Sequence, residues 1–268
     1  MSGKSGSWGL TDISILRSFI HLRYVDVSQN LLRDISPLAA LTHLLSLRVD
    51  QNQLLNVSGL GDLPYLQQAS FAQNHMRSLE DVAQSRLESL SLIGNQLQSL
   101  EGLDCTKLGS LHTLELRGNH LLSTAGLLLP NLRELYLAQN NITRLEGLDS
   151  LVHLTTLHLR ENQLENLDGM SENLQALQYL NLRGNLVSSL QEVKKLRPLS
   201  RLRALVLREN PCEEEDGYRM ETLITLPHLE RLDKDSYEEE ERMEADEKRR
   251  AELEEDKAVL SIEFDFLP

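Results

Sequence analysis

Nine asparagines, Asn30, Asn52, Asn74, Asn95, Asn119, Asn140, Asn162, Asn185 and Asn210, recur at spacings of 22, 22, 21, 24, 21, 22, 23 and 25 residues. Each closes the same nine-residue phrase, apolar-x-x-apolar-x-apolar-x-x-Asn. The first copy runs from Leu22 to Asn30 and the last from Leu202 to Asn210. A unit this short cannot bury its own apolar face, so it becomes stable only when neighbours stack on it. The spacing therefore restricts the chain to a solenoid of stacked coils.

Within a phrase, pairs such as Leu114 and Leu116 stand two residues apart, which points both to one face of a short strand. The opposite face carries variable residues and lies open. Each Asn follows the strand where the chain turns, and its amide offers a donor and an acceptor to backbone groups that the turn leaves unpaired. Repeated along the stack, the nine asparagines form a structural ladder. A second apolar series then fills the interior from the other side, as in Ile142, Leu145 and Leu148. A period near 22 leaves too little chain there for multi-turn α-helices, and favours 3₁₀ or extended segments. The fold class expected is an α/β repeat solenoid. It is a leucine-rich-repeat horseshoe of about nine coils, with a parallel concave sheet and a convex side of 3₁₀ and extended segments.

The chain divides accordingly. Residues 1–9 are small, polar and glycine-rich and read as a disordered N-terminus. Residues 10–210 form the solenoid, and Leu10, Ile13, Leu16, Phe19 and Ile20 serve as half a coil covering its first open end. The long spacing before Asn119 places an insertion around residues 104–110. The one before Asn210 leaves room for a short helix, since Leu190, Val193, Leu196 and Leu199 recur by threes. Pro211 stops a further coil. Residues 211–233 then read as a C-terminal cap, with Tyr218, Leu223 and Leu226 at helical spacing. Residues 234–257 carry 12 acidic and six basic side chains without Gly or Pro. They read as an acidic, solvated helix with i,i+4 pairs Glu238–Arg242 and Glu244–Lys248. In residues 258–268 apolar and polar residues alternate, a strand pattern with nothing to pair with. They read as a flexible tail.

Chemistry beyond binding finds little support. No His-x-x-x-His or Cys-x-x-Cys pair exists, so no metal site is expected. No Gly-x-Ser-x-Gly elbow is present, and the sequence argues against an enzyme. No catalytic residue and no cofactor are expected. A net charge of −14 disfavours broad contact with nucleic acid. There is no apolar run near 18 residues and no apolar signal-like start, so no membrane partner is expected. Cys105 and Cys212 lie four to five coils apart, roughly 20 Å at ~4.8 Å per coil, beyond disulfide reach. Together these favour an intracellular, reduced compartment.

A solenoid's open strand face is its usual contact surface. Its third, fifth and seventh phrase positions are small and mixed in the N-terminal coils. In the C-terminal coils they include Arg117, Tyr136, His158, Arg160, Tyr179, Arg183 and Arg208. Arg and Tyr are enriched at binding hot spots. Two readings stay open: a partner-binding stripe, or solvated charges paired with Glu115, Glu134, Glu161 and Glu209.

The pattern Asn210-Pro, then Tyr218-Arg, then Leu226-Pro-x-Leu229-x-x-Leu232-Asp resembles the C-terminal cap of short intracellular leucine-rich-repeat proteins. Phrases such as Leu111–Asn119, Leu135–Asn140 and Leu177–Asn185, with Leu229–Lys234 and Tyr237–Arg242, are more specific. Across residues 10–247 they resemble a leucine-rich-repeat family of the radial spoke of motile cilia and sperm flagella. That resemblance implies a non-catalytic scaffold in the axonemal cytoskeleton, needed for motility, with other spoke proteins as partners. It also implies a long acidic segment ahead of the repeats, so this chain reads as a shorter or alternative form. The cap resembles protein phosphatase regulatory subunits and acidic nuclear leucine-rich phosphoproteins too, which imply a regulator or inhibitor of a soluble enzyme.

Overall fold

The computed structural model describes residues 8–265 apart from 81 and 104, and only the backbone of 252 and 255–265. Nine three-residue strands follow the phrases: β1 Tyr24–Asp26, β2 Ser46–Arg48, β3 Gln68–Ser70, β4 Ser89–Ser91, β5 Thr113–Glu115, β6 Glu134–Tyr136, β7 Thr156–His158, β8 Tyr179–Asn181 and β9 Ala204–Val206. They pair parallel in chain order, so equivalent phrase positions sit side by side, as Leu114 does beside Leu135. Every strand buries its central residue. The leucines of successive coils thus make one continuous core.

The asparagine ladder has the expected role, and it joins coils to each other. Asn140 Nδ2 donates to the carbonyl of Leu137 in its own coil and to that of Leu116 in the coil before, both at 3.0 Å. Its Oδ1 accepts from Leu121 N–H at 3.1 Å, also in the coil before. All nine asparagines are 3–7 % exposed. The residue before each one is left-handed, with φ between 54° and 70° at Gln29, Gln51, Gln73, Gly94, Gly118, Gln139, Glu161, Gly184 and Glu209. Six of these nine are not glycine, and each accepts a cost of about 1–2 kcal/mol. The buried amide bonds that follow the turn offset it.

The convex side carries 3₁₀ turns at Ser36–Ala40, Leu148–Ser150 and Leu190–Leu196, as the short period requires. The last occupies the expected insertion, and Ser189 caps it by accepting from Gln191 N–H at 3.2 Å. In the insertion around 104–110, residue 104 lies outside the described residues, and Cys105 is exposed.

The first open end is covered less fully than the sequence suggests. Leu10 N–H donates to Asn30 Oδ1 at 3.0 Å and so starts the ladder. Ile13 is buried and Leu16 half-buried, but Leu10, Phe19 and Ile20 are exposed. Among the described residues no strand precedes β1, so the 3₁₀ turn Ser14–Ser18 packs on one coil only. Of the N-terminus expected to be disordered, residues 1–7 lie outside the described residues.

The second end is closed by five elements. A 3₁₀ turn at Pro211–Glu214 leads to α1, Tyr218–Thr225, which buries Leu223 and Ile224. Strand β10, Arg231–Leu232, continues the parallel sheet beside β9. The carboxylate of Asp233 accepts from Leu207 N–H at 2.9 Å, Arg208 N–H at 3.0 Å and the Tyr218 hydroxyl at 3.0 Å. It thereby satisfies strand amides that no further coil exists to meet. The cap then extends past its expected limit. β11, Asp235–Ser236, turns back antiparallel to β10, and Tyr237 is buried with its hydroxyl donating to Arg219 C=O at 2.9 Å.

The acidic helix therefore begins later than residue 234. This helix, α2, spans Glu239–Asp265. Its first turns do not stand free in solvent. Arg219 forks onto Glu241, with 2.5 and 2.9 Å contacts, Ala245 is buried, and Arg242 donates to Leu229 C=O at 2.9 Å. The pair Glu244–Lys248 forms at 2.8 Å, whereas Arg242 turns to the cap instead of Glu238. Residues 258–265, expected to be a flexible tail, continue the helix backbone, because strong helix formers lead into them and no Gly or Pro intervenes. Residues 266–268 lie outside the described residues.

Candidate concave interaction surface

The parallel register turns equal phrase positions into rows across the sheet. On the C-terminal coils one row is aromatic. Tyr136 stacks on His158 with ring centroids 4.8 Å apart at 23°, and His158 meets Tyr179 at 5.0 Å and 38°. These three are half-buried by one another. Burial pushes the His158 imidazole below its usual value, against the opposing pull of Glu134, so the ring is neutral at neutral pH. Burial also raises the Tyr136 phenol, helped by the charges of Glu134 and Glu115, and its hydroxyl donates to Glu134 at 3.2 Å.

Beside the rings runs the arginine row. An open cavity of about 260 Å³ is lined by Arg117, Tyr136, Ala138, Gln139, His158, Arg160 and Asn181. The structure thus brings Arg117, Tyr136, His158 and Arg160 into one cleft. Tyr179 borders it through the ring stack, while Arg183 and Arg208 lie along the row beyond it. Arg160 pairs with Glu161, Arg183 with Glu209, and Arg208 with Glu213 at 3.4 Å. Arg183 Nε is buried and has no hydrogen-bond partner. Glu161 and Glu209 act as the sequence suggests. Glu134 serves the Tyr136 and Thr113 hydroxyls instead, and Glu213 arrives unforeseen from the cap turn.

Three lining residues, Ala138, Gln139 and Asn181, are not among the candidate residues. Gln139 accepts from Arg117 Nε at 2.8 Å and donates to Glu161 at 2.6 Å, tying three coils together. Asn181 donates to the Tyr179 hydroxyl at 3.3 Å. Gln139 holds the left-handed position before a ladder asparagine, and the recurrence of Gln or Glu there was the available signal. On the N-terminal coils the same rows hold a closed network. Arg48 is spent on Asp50 at 3.1 Å and Asp26 at 4.0 Å, and Asp50 also accepts from Ala72 N–H at 2.9 Å.

Among the described residues, no group of three or more His, Cys, Asp or Glu side chains is placed to hold a metal ion. Nor is any helix among them long and apolar enough to cross a membrane.

Fold, ladder and open face define a leucine-rich-repeat solenoid of the kind typically used as an interaction module. The family model described as "Leucine-rich repeat" matches residues 112–259. The chain is 74% identical over 246 residues to leucine-rich repeat-containing protein 23 of Xenopus tropicalis, covering 92% of this chain and 70% of that protein. It is 57% identical to the protein of the same name from Homo sapiens, covering 88% and 69% respectively. It belongs to the leucine-rich repeat-containing protein 23 family. Among solved structures, a leucine-rich-repeat protein of Leptospira interrogans aligns with TM-score 0.69 at 26% identity, over 82% of this chain and 57% of that one. An internalin of Listeria monocytogenes aligns with TM-score 0.62 at 25% identity, over 83% and 70%.

Proposed function

We propose that this chain is a non-catalytic scaffold of the axoneme, part of the radial spoke that motile cilia and sperm flagella need, and that it grips a partner protein on its C-terminal concave stripe. The ring stack flanked by arginines carries this reading. Core packing does not require these residues, because that face is open. A chain of net charge −14 that concentrates arginine there is built to meet an acidic or phosphate-bearing segment. Forked guanidinium contacts hold such a segment, and the rings of Tyr136, His158 and Tyr179 pack against its apolar parts. The family resemblance in the repeats and cap supports the axonemal setting.

Detergent extraction of ciliated cells tests the setting. A spoke component stays with the insoluble axoneme. Full release into the detergent-soluble fraction contradicts it, and favours a regulator of a soluble enzyme such as a phosphatase. Proximity labelling from the same chain then names the neighbours.

A further inference from the structure

A second cleft lies away from the concave face, between the cap and the acidic helix. It holds about 380 Å³ and its floor is apolar, formed by Leu199, Leu202, Ile224, Leu226 and Leu229. At roughly 30 Å³ per water, that is space for about a dozen waters or for one or two large side chains. Leu253 borders it and is itself 53 % exposed.

The rim carries two arginines and a histidine. Arg197 enters from the end of the convex 3₁₀ turn, His228 from the loop after α1, and Arg249 from α2. Among the described residues no carboxylate lines the cleft. Arg249 pairs with Asp246 through Nη2 at 2.8 Å, but its Nη1 is buried without a hydrogen-bond partner. Arg197 is exposed and forms no ion pair among the described residues. So two arginines and a histidine surround an apolar floor on a chain with 41 acidic and 27 basic residues.

We propose that this cleft is a second docking site, and that its occupant is a peptide segment of a partner protein carrying a large apolar side chain between carboxylates. The apolar side chain covers the floor, and carboxylates reach Arg197 and Arg249 on either side. Arg197 and Arg249 come from separate elements, which suits charges spaced along a chain better than the single headgroup of a fatty acid. The site shares no residue with the concave stripe, so it stands independently of the reading given there. It would give a scaffold two faces for two partners.

The test uses the full chain and a fluorescein-labelled peptide, Asp-Leu-Phe-Glu-Asp, with Asn-Leu-Phe-Gln-Asn and laurate as competitors. The acidic peptide should bind at least tenfold more tightly than its amide counterpart. Arg197→Gln, and separately His228→Glu, should each weaken it severalfold, and Arg197→Gln with Arg249→Gln more than tenfold, with unchanged thermal unfolding. All of these are measured in a chain that also carries Arg160→Glu and Arg183→Glu, so that an acidic segment held by the concave stripe does not contribute. Equal binding of both peptides, or indifference to the Arg197 and His228 substitutions, overturns the proposal. Tighter binding of laurate than of the acidic peptide also overturns it, and makes the cleft a lipid site.

Discussion

The two halves of this molecule share one repeating coil and differ in what departs from it. In both, apolar side chains fill the same positions and a buried asparagine stitches each coil to the one before. The N-terminal half ends in a partial coil that leaves Ile15, Phe19, Ile20 and Tyr24 exposed, and its concave arginine is consumed by its own aspartates. The C-terminal half ends in two helices and a hairpin, and its open face carries stacked rings and a row of arginines. The repeated part supplies the common core, and the proposed contacts all lie in the departures from it.

The largest effect should come from cutting at the two ends. Truncation after Asn210 exposes Leu205 and Leu207, each worth about 1.5–3 kcal/mol when fully buried. It also leaves unsatisfied the Leu207 and Arg208 amides that Asp233 meets. Such a chain should aggregate or melt without cooperativity in calorimetry. Removal of residues 8–12 should cost far less, because that end is already open. Equal losses would erase the distinction between the ends.

Ladder substitutions should act alike in both halves. Asn52→Ala and Asn140→Ala each strand buried partners and should lower stability by about 1–3 kcal/mol in chemical denaturation. Asn141→Ala, one residue out of register, should be nearly neutral. A loss at Asn141 comparable to that at Asn140 would mean the ladder does not carry the stacking.

Within the cap, Tyr218→Phe removes the hydroxyl that donates to Asp233 and should cost about 1–2 kcal/mol. No comparable loss should follow Tyr24→Phe at the exposed first strand, where the ring is 71 % exposed.

The smallest effect concerns pH. Burial holds the His158 imidazole below its unfolded value, so the unfolded chain takes a proton the folded one refuses. Its contribution is therefore present above the ordinary histidine range and lost as pH falls through it. An imidazole titration by NMR should place His158 below the ordinary histidine value. His158→Gln should flatten the stability profile between about pH 7 and 5.

Period and phrase made the solenoid, the strand register, the ladder and the 3₁₀ convex side legible in the sequence, because each is a local rule repeated nine times. The candidate stripe was legible for the same reason, since alternation alone selects the open positions. The departures were less so. The seating of α2 depends on Tyr237 entering the cap and Arg219 meeting Glu241, single contacts between segments with no repeated pattern to announce them. Gln139 looked like a turn residue, and its bridging role follows only once three coils are stacked. Phe19 and Ile20 looked like core, but burial also needs a neighbouring coil, and among the described residues none stands before β1.

In the proposed function the C-terminal stripe, and not the molecule at large, holds the partner. Proximity labelling in ciliated cells, comparing the parent chain with Arg160→Glu plus Arg183→Glu and with Arg48→Glu, addresses it directly. The double reversal should lose the labelled axonemal neighbours while unfolding at nearly the same temperature, and Arg48→Glu should keep them. If the double reversal keeps every neighbour of the parent chain, the arginines are a solvated face and the partner is held elsewhere.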